Sequence, residues 1–155
     1  MAFGSLSVKG RALRYLAQRE HSRAELERKL ARHVADTEGS SAEAQIARAL
    51  DELTAAGLLS EARAAASVLA SQGQRYGVRR LKQTLQMKGL DAALVSATLQ
   101  AARGSELERA REVWRRRFGT PAASAAERAR QMRFMAGRGF EGDVIRRVLQ
   151  GADDD

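Results

Sequence analysis

The chain contains no cysteine and a single proline, and only 5% of its 155 residues are aromatic. The absence of cysteine excludes disulfides, a thiol nucleophile and a Cys-based zinc site. One proline in a chain rich in alanine, leucine, arginine and glutamate predicts helices joined by short connections. The shortage of aromatics leaves leucine, alanine, valine and methionine to build the core. Alanine-rich contacts bury little area, at roughly 25 cal/mol per Å², so thin cores and close helix approach are expected. No apolar run approaches the ~18–20 residues that span a bilayer. The opening residues, MAFGSLSVKGR, lack the apolar core of a signal peptide, so a cytoplasmic location is expected. No Gly-rich phosphate loop and no nucleophile paired with a base is found, and the chain is not expected to be an enzyme or to need a cofactor. His21 and His33 are the only histidines, without carboxylates at metal-ligand spacing, so no metal is expected.

What the chain has is basic charge. Lys and Arg number 27 against 19 acidic residues, a net +8, and 23 of the 27 are arginine. Such a balance predicts an acidic partner, either nucleic acid or an acidic protein surface. Helix starts are marked by Ser-x-x-Glu capping boxes at Ser22/Glu25, Ser40/Glu43, Ser105/Glu108 and Ser124/Glu127, with Ser60 and Asp91 as simpler caps. Gly57, Gly89, Gly104 and Gly119 follow helical patterns and predict left-handed stops. Nine helices are predicted, over about 7–19, 23–35, 42–56, 61–73, 78–88, 92–103, 106–118, 125–137 and 142–150. No period-2 alternation suggests a sheet. Apolar stripes run through Ile46, Ala49, Leu50 and Leu53; through Leu94, Val95, Thr98, Leu99 and Ala102; and through Leu107, Ala110, Trp114 and Phe118.

The chain also repeats itself. The segments around His21, Tyr76 and Phe140 superpose without gaps at offsets of 55 and 64. Leu13, Val68 and Met132 fall in one column; so do Leu26, Leu81 and Ile145, and Leu30, Leu85 and Leu149. His21, Tyr76 and Phe140 read as plugs between the two helices of a helix–turn–helix. Basic residues recur on the second helix of each copy: Arg28 and Lys29, Lys82, Arg146 and Arg147. This register leaves the seventh helix either as a connector or as part of a truncated third repeat. Small helical units that bury little area alone stack in tandem. The expected fold is therefore all-α, an elongated, curved array of tandem three-helix repeats. Its divisions are a first repeat over 1–59, a second over 60–104, and a connecting helix plus third repeat over 105–155, which ends in the acidic Asp153, Asp154 and Asp155.

Several stretches resemble the RecX family of regulatory proteins. They are ALRYLAQREHSRAELERKL (12–30), GLLSEARAAA (57–66), RYGVRRLKQTLQMKG (75–89) and RGFEGDVIRRVL (138–149). Together they cover essentially the whole chain in the family's order. One departure is Glu61-Ala62-Arg63-Ala64, where the family commonly has an aspartate followed by an aromatic. The resemblance implies a regulator, mainly an inhibitor, of the RecA recombinase. Its partners would be the RecA filament and the single-stranded DNA within it, bound in the filament groove or at the growing end, with free DNA a further candidate. It would act as a monomer, with no membrane involved. The alternative from charge and shape alone is a repeat protein that binds DNA without sequence specificity, since these helices carry few Asn or Gln residues to read base edges. Guanidinium forks suit phosphates and carboxylates alike. The candidate contact residues are Arg23, Arg28, Arg75, Arg79, Arg80, Lys82, Lys88, Arg115, Arg116, Arg138, Arg146 and Arg147.

Overall fold

The computed structural model describes residues 5–153, so Asp154 and Asp155 of the acidic tail lie outside the described residues. Those residues form nine helices and no strand: α1 (Val8–Gln18), α2 (Arg23–Ala31), α3 (Ala42–Ala55), α4 (Glu61–Gln72), α5 (Val78–Met87), α6 (Ala92–Arg103), α7 (Glu106–Arg117), α8 (Ala125–Gly137) and α9 (Gly142–Asp153). The all-α architecture agrees with the sequence reading. The α2 helix stops four residues earlier than expected, and α9 runs three residues further, taking in Asp153.

The caps explain most helix starts. Ser22 and Glu25 form the full reciprocal capping box of α2. Asp91 accepts from the Leu94 amide, and Ser60 from the Arg63 amide. Three predicted boxes take another form. The α3 cap is Ser41, whose hydroxyl accepts from Ala44, while Ser40 pairs with Thr37 in a tight turn. Ser105 makes no cap bond at all; its hydroxyl donates to the Ala102 carbonyl and accepts from Arg109 Nε. Ser124 caps α8, but Glu127 reaches past it to the Ala123 amide. Gly57, Gly89 and Gly119 take the left-handed conformation as expected. Gly104 does not, staying in the right-handed region at φ −59°, and Gly139, not foreseen as a stop, is left-handed at φ 87°.

The chain forms two compact units. One runs to Ala65 and includes Lys88–Leu90. There α1, α2 and α3 pack on one another around Ala12, Leu26, Leu30, Ile46, Leu50, Leu53 and Leu59. The other comprises Ala66–Met87 and the described residues from Asp91 onward. In it α5 packs on α6, and both α7 and α8 pack on α9 around Ala110, Trp114, Met135, Phe140, Ile145, Val148 and Leu149. The repeat columns hold unevenly. Leu26, Leu81 and Ile145 are buried, as are Leu30, Leu85 and Leu149, but Leu13 and Met132 are exposed whereas Val68 is buried. At the turns His21 and Phe140 are fully buried plugs. Tyr76 is only half-buried.

The packing brings out a second register, of 50 residues, that the sequence pattern alone does not mark. Lys88-Gly89-Leu90-Asp91 matches Arg138-Gly139-Phe140-Glu141, and Val95, Thr98 and Leu99 match Ile145, Val148 and Leu149, all buried. Both glycines are left-handed. In each of these turns the carbonyl of the residue before the glycine accepts a hydrogen bond from a helix start, by a different donor in each unit. In the first unit the Ser22 hydroxyl donates to the Lys88 carbonyl. In the second the Gly77 amide, 55 residues on from Ser22, donates to the Arg138 carbonyl. A side chain at Gly77 would overlap the Gly139 carbonyl, so this approach requires glycine. A glutamate at the start of a helix completes both arrangements. The Arg23 amide donates to Glu61 Oε1 at 2.6 Å. The Val78 and Glu141 amides donate to Glu106 Oε1 at 3.3 and 3.4 Å. Buried Glu106 thus satisfies orphan amides at the starts of α5 and α9 together.

Candidate anion-binding surface

The twelve candidate residues fall into three groups by what their cationic heads already touch. Arg23 and Lys88 are engaged inside the first unit. Arg23 spans Glu27 at 3.1 Å and Asp51 at 2.8 Å. Lys88 lies 2.9 Å from Glu25, which also holds Arg19 at 2.8 Å. Burial pushes the Glu25 carboxyl up, but Arg19, Lys88 and the Ser22 amide outweigh it and bring it down to about 2. Arg115 and Arg116 share one carboxylate, Glu112, each at 3.0 Å on the exposed side of α7. Arg28 is exposed on α2.

Arg79 and Lys82 on α5, and Arg146 and Arg147 on α9, are exposed and form no ion pair among the described residues. Their positions follow from the helical period, since Leu81, Ile145 and Val148 face inward and leave these neighbours facing solvent.

The third group surrounds aromatic rings in the second unit. Arg80 lies 4.0 Å from the centroid of Tyr76, and Arg75 and Arg138 each lie 5.5 Å from it. Arg138 also lies 5.1 Å from Phe134, and Arg117 lies 5.2 Å from the same ring. Phe134 stands edge-on to Phe118 at 5.4 Å. Tyr76 therefore acts less as a plug than as a platform for guanidinium groups. Arg75, Arg117 and Arg138 line a pocket of about 250 Å³ with Gln74, Glu112, Val113, Arg116 and Phe134. A neighbouring concavity of about 450 Å³ is lined by Arg117, Phe118, Arg130, Arg133 and Phe134. Arg130 and Arg133 were not singled out as candidates from the sequence. Their signal was a row of basic residues on a helix beside a lone phenylalanine, which means little until α7 and α8 are packed.

Arg109, also unforeseen, has a structural task. Its guanidinium donates to the carbonyls of Gly73, Tyr76 and Ala102, closing the ends of α4 and α6. His21 has one too. Its Nδ1 faces the Arg19 carbonyl at 3.0 Å, so that nitrogen carries the proton, and Nε2 accepts from Lys29 Nζ at 2.8 Å. Burial first, and then the Arg19 and Lys29 charges, hold the imidazole below its ordinary pKa.

Residues 105–149 match a family model described as "RecX, third three-helix domain". The chain is 56% identical over 148 residues to the regulatory protein RecX of Leptothrix cholodnii, covering 96% of this chain and 90% of that protein. It is 50% identical over 151 residues to the regulatory protein RecX of Ralstonia nicotianae, covering 96% and 89%. Among solved structures it resembles the crystal structure of RecX from Lactobacillus salivarius, with a TM-score of 0.75 at 20% identity and 96% of both chains covered. That last likeness speaks for the fold.

Proposed function

We propose, from the fact that this chain belongs to the RecX family of regulatory proteins, that it modulates, and mainly inhibits, the RecA recombinase. In this reading the protein binds the RecA filament on single-stranded DNA, in its groove or at its growing end, and limits filament assembly, ATP hydrolysis and strand exchange. The similarity over nearly the whole chain is the observation that carries it. The basic surface supports it, because a filament of protein on DNA presents acidic groups of both kinds. The protein acts as a cytoplasmic monomer, organised as a first helical repeat over 1–59, a second over 60–104, and a connecting helix with the third repeat and acidic tail over 105–155. No helix of the described residues is long and apolar enough to cross a membrane.

The contact residues follow the grouping above. Arg75, Arg79, Arg80, Lys82, Arg138, Arg146 and Arg147 are the principal contacts, since they form no ion pair among the described residues. Arg28, Arg115 and Arg116 contribute from exposed helix faces. Arg23 and Lys88 act by holding the first unit in shape. Binding to free DNA is the second reading, favoured by the guanidinium-lined pockets of the second unit.

The test adds the purified protein to RecA on single-stranded DNA and follows ATP hydrolysis and filament length. Both should fall at near-stoichiometric amounts. Unchanged hydrolysis and length would rule out the RecA reading. Binding to naked DNA across a salt series addresses the second reading.

A further inference from the structure

The chain has four lysines, Lys9, Lys29, Lys82 and Lys88. Lys88 is paired with Glu25 at 2.9 Å, and Lys9 lies 3.4 Å from Glu52. Lys29 differs in that its Nζ meets a neutral base. It donates to His21 Nε2 at 2.8 Å, and no carboxylate pairs with it among the described residues. The ring is fixed from its far side, where Nδ1–H donates to the Arg19 carbonyl at 3.0 Å. His21 has no exposed surface, whereas Lys29 is half-buried and so reaches solvent. Tyr15 lies beside both, its ring centroid 4.9 Å from Nζ and 5.8 Å from that of the imidazole. An amine hydrogen-bonded to an imidazole that a third group orients is the arrangement of an activated nucleophile. Burial, and then the charges of Arg19, Lys88 and Arg32 against the opposing pull of Glu25, lower the Lys29 pKa and enlarge its neutral, reactive fraction.

We propose that Lys29 is an acylation site, a nucleophile that takes the acyl group of a small acyl phosphate with His21 as its base. The Lys29 nitrogen attacks the acyl carbon and forms the amide bond. The carbon–oxygen bond to phosphate breaks, and its electron pair leaves on the phosphate. His21 Nε2 takes a proton from the amine and passes it to the departing phosphate, so the products are an amide and hydrogen phosphate. Two features select this donor. The charges of Arg19, Arg32 and Lys88 act on the amine and outnumber that of Glu25, which draws an anionic reagent. Tyr15 and His21 flank the half-buried Nζ, which favours a small acyl group. Acylation would remove the ammonium that faces His21 and so ease protonation of the ring. Nothing in this chemistry depends on RecA, and none is present in the test.

The test incubates the full-length chain with acetyl phosphate and resolves each lysine by mass spectrometry after short exposure, with Nα-acetyl-lysine in the same tube as a free amine. Lys29 should be acetylated at least about tenfold faster than Lys9, Lys82 and the free amine, a modest figure against the ~100-fold or more that a placed base contributes. Its rate should level off at a lower pH than that of the free amine, whose pKa is about 10.4. His21→Gln, which keeps a hydrogen-bonding side chain but no base, should slow Lys29 about tenfold and leave Lys82 unchanged. With the neutral donor p-nitrophenyl acetate the preference for Lys29 should be at least about threefold smaller, and the gap between donors should narrow in high salt. Unfolding the parent chain in urea should erase the preference, and this decides the matter if circular dichroism shows the His21 variant unfolded. Three results would each overturn the proposal: Lys29 no faster than the free amine, a preference that survives urea, or a folded His21→Gln chain acetylated at Lys29 like the parent. Equal preference with both donors would overturn the assignment to acyl phosphates.

Discussion

At the scale of single residues, the first unit turns on a small buried network. Ser22, Glu25, Lys88 and Arg19 join the α2 start to the Lys88–Leu90 turn, and His21 sits beside them with no exposed surface. Its Nε2 accepts a hydrogen bond from Lys29, so a second proton on Nε2 would face an ammonium. The folded chain therefore binds this proton more weakly than the unfolded chain does. Stability should fall as pH drops below about 6.5, because only the unfolded state gains the charge there. Denaturant midpoints between pH 7.5 and 5.5 check this, and His21→Gln, which can keep both bonds, should flatten the slope. A parent chain with no loss across that range would contradict it. The histidine was legible in the sequence as a turn plug, but its proton and its lysine partner were not. Both depend on a helix turn bringing Lys29 back over the ring, which spacing permits without requiring.

At the scale of elements, glutamates at helix starts join neighbouring helices. Glu106 opens α7 and takes amides from the starts of α5 and α9. Removing it strands buried donors and withdraws a negative charge from two positive helix ends. Glu106→Ala should cost about 2–3 kcal/mol, the scale of stranded buried donors. Hydrogen exchange at the Val78 and Glu141 amides should quicken more than elsewhere in the second unit. Uniform quickening would mean a general loss of packing, and unchanged exchange would mean the carboxylate is idle. Read locally, Ser105 looked like the cap and Glu108 its partner. The serine instead serves Arg109 and the Ala102 carbonyl, and Glu106 is drawn away to helices that follow other parts of the chain. Local propensity yields where a long-range partner offers a better bond. The register of 50 residues was missed for a related reason: its columns are ordinary apolar residues until packing shows them buried together.

At the scale of the whole molecule, the net +8 is unevenly committed. Some basic residues are engaged in internal ion pairs, such as Arg23 with Asp51 and Lys88 with Glu25. Others lie exposed on α5 and α9 or against the aromatic rings of the second unit. Charge reversal at exposed Arg79, Arg80, Arg146 and Arg147 should move the unfolding midpoint little, within about 0.5 kcal/mol per site. The same change should weaken the effect on RecA-dependent ATP hydrolysis. A folded quadruple variant that acts like the parent chain would remove these four from the contact surface.

The sequence by itself determined the helices, most of their caps, the buried columns of the α2, α5 and α9 faces, and the family likeness. These rest on i to i+4 spacing and on short-range hydrogen bonds, which a linear chain encodes directly. Only the tertiary structure decided which arginines are already paired with a carboxylate and which lie against an aromatic ring. Arg23 and Arg80 look alike in the chain, yet one meets Asp51 and the other the face of Tyr76. A guanidinium's availability depends on what packing places within a few ångströms of it, and those neighbours come from distant parts of the chain.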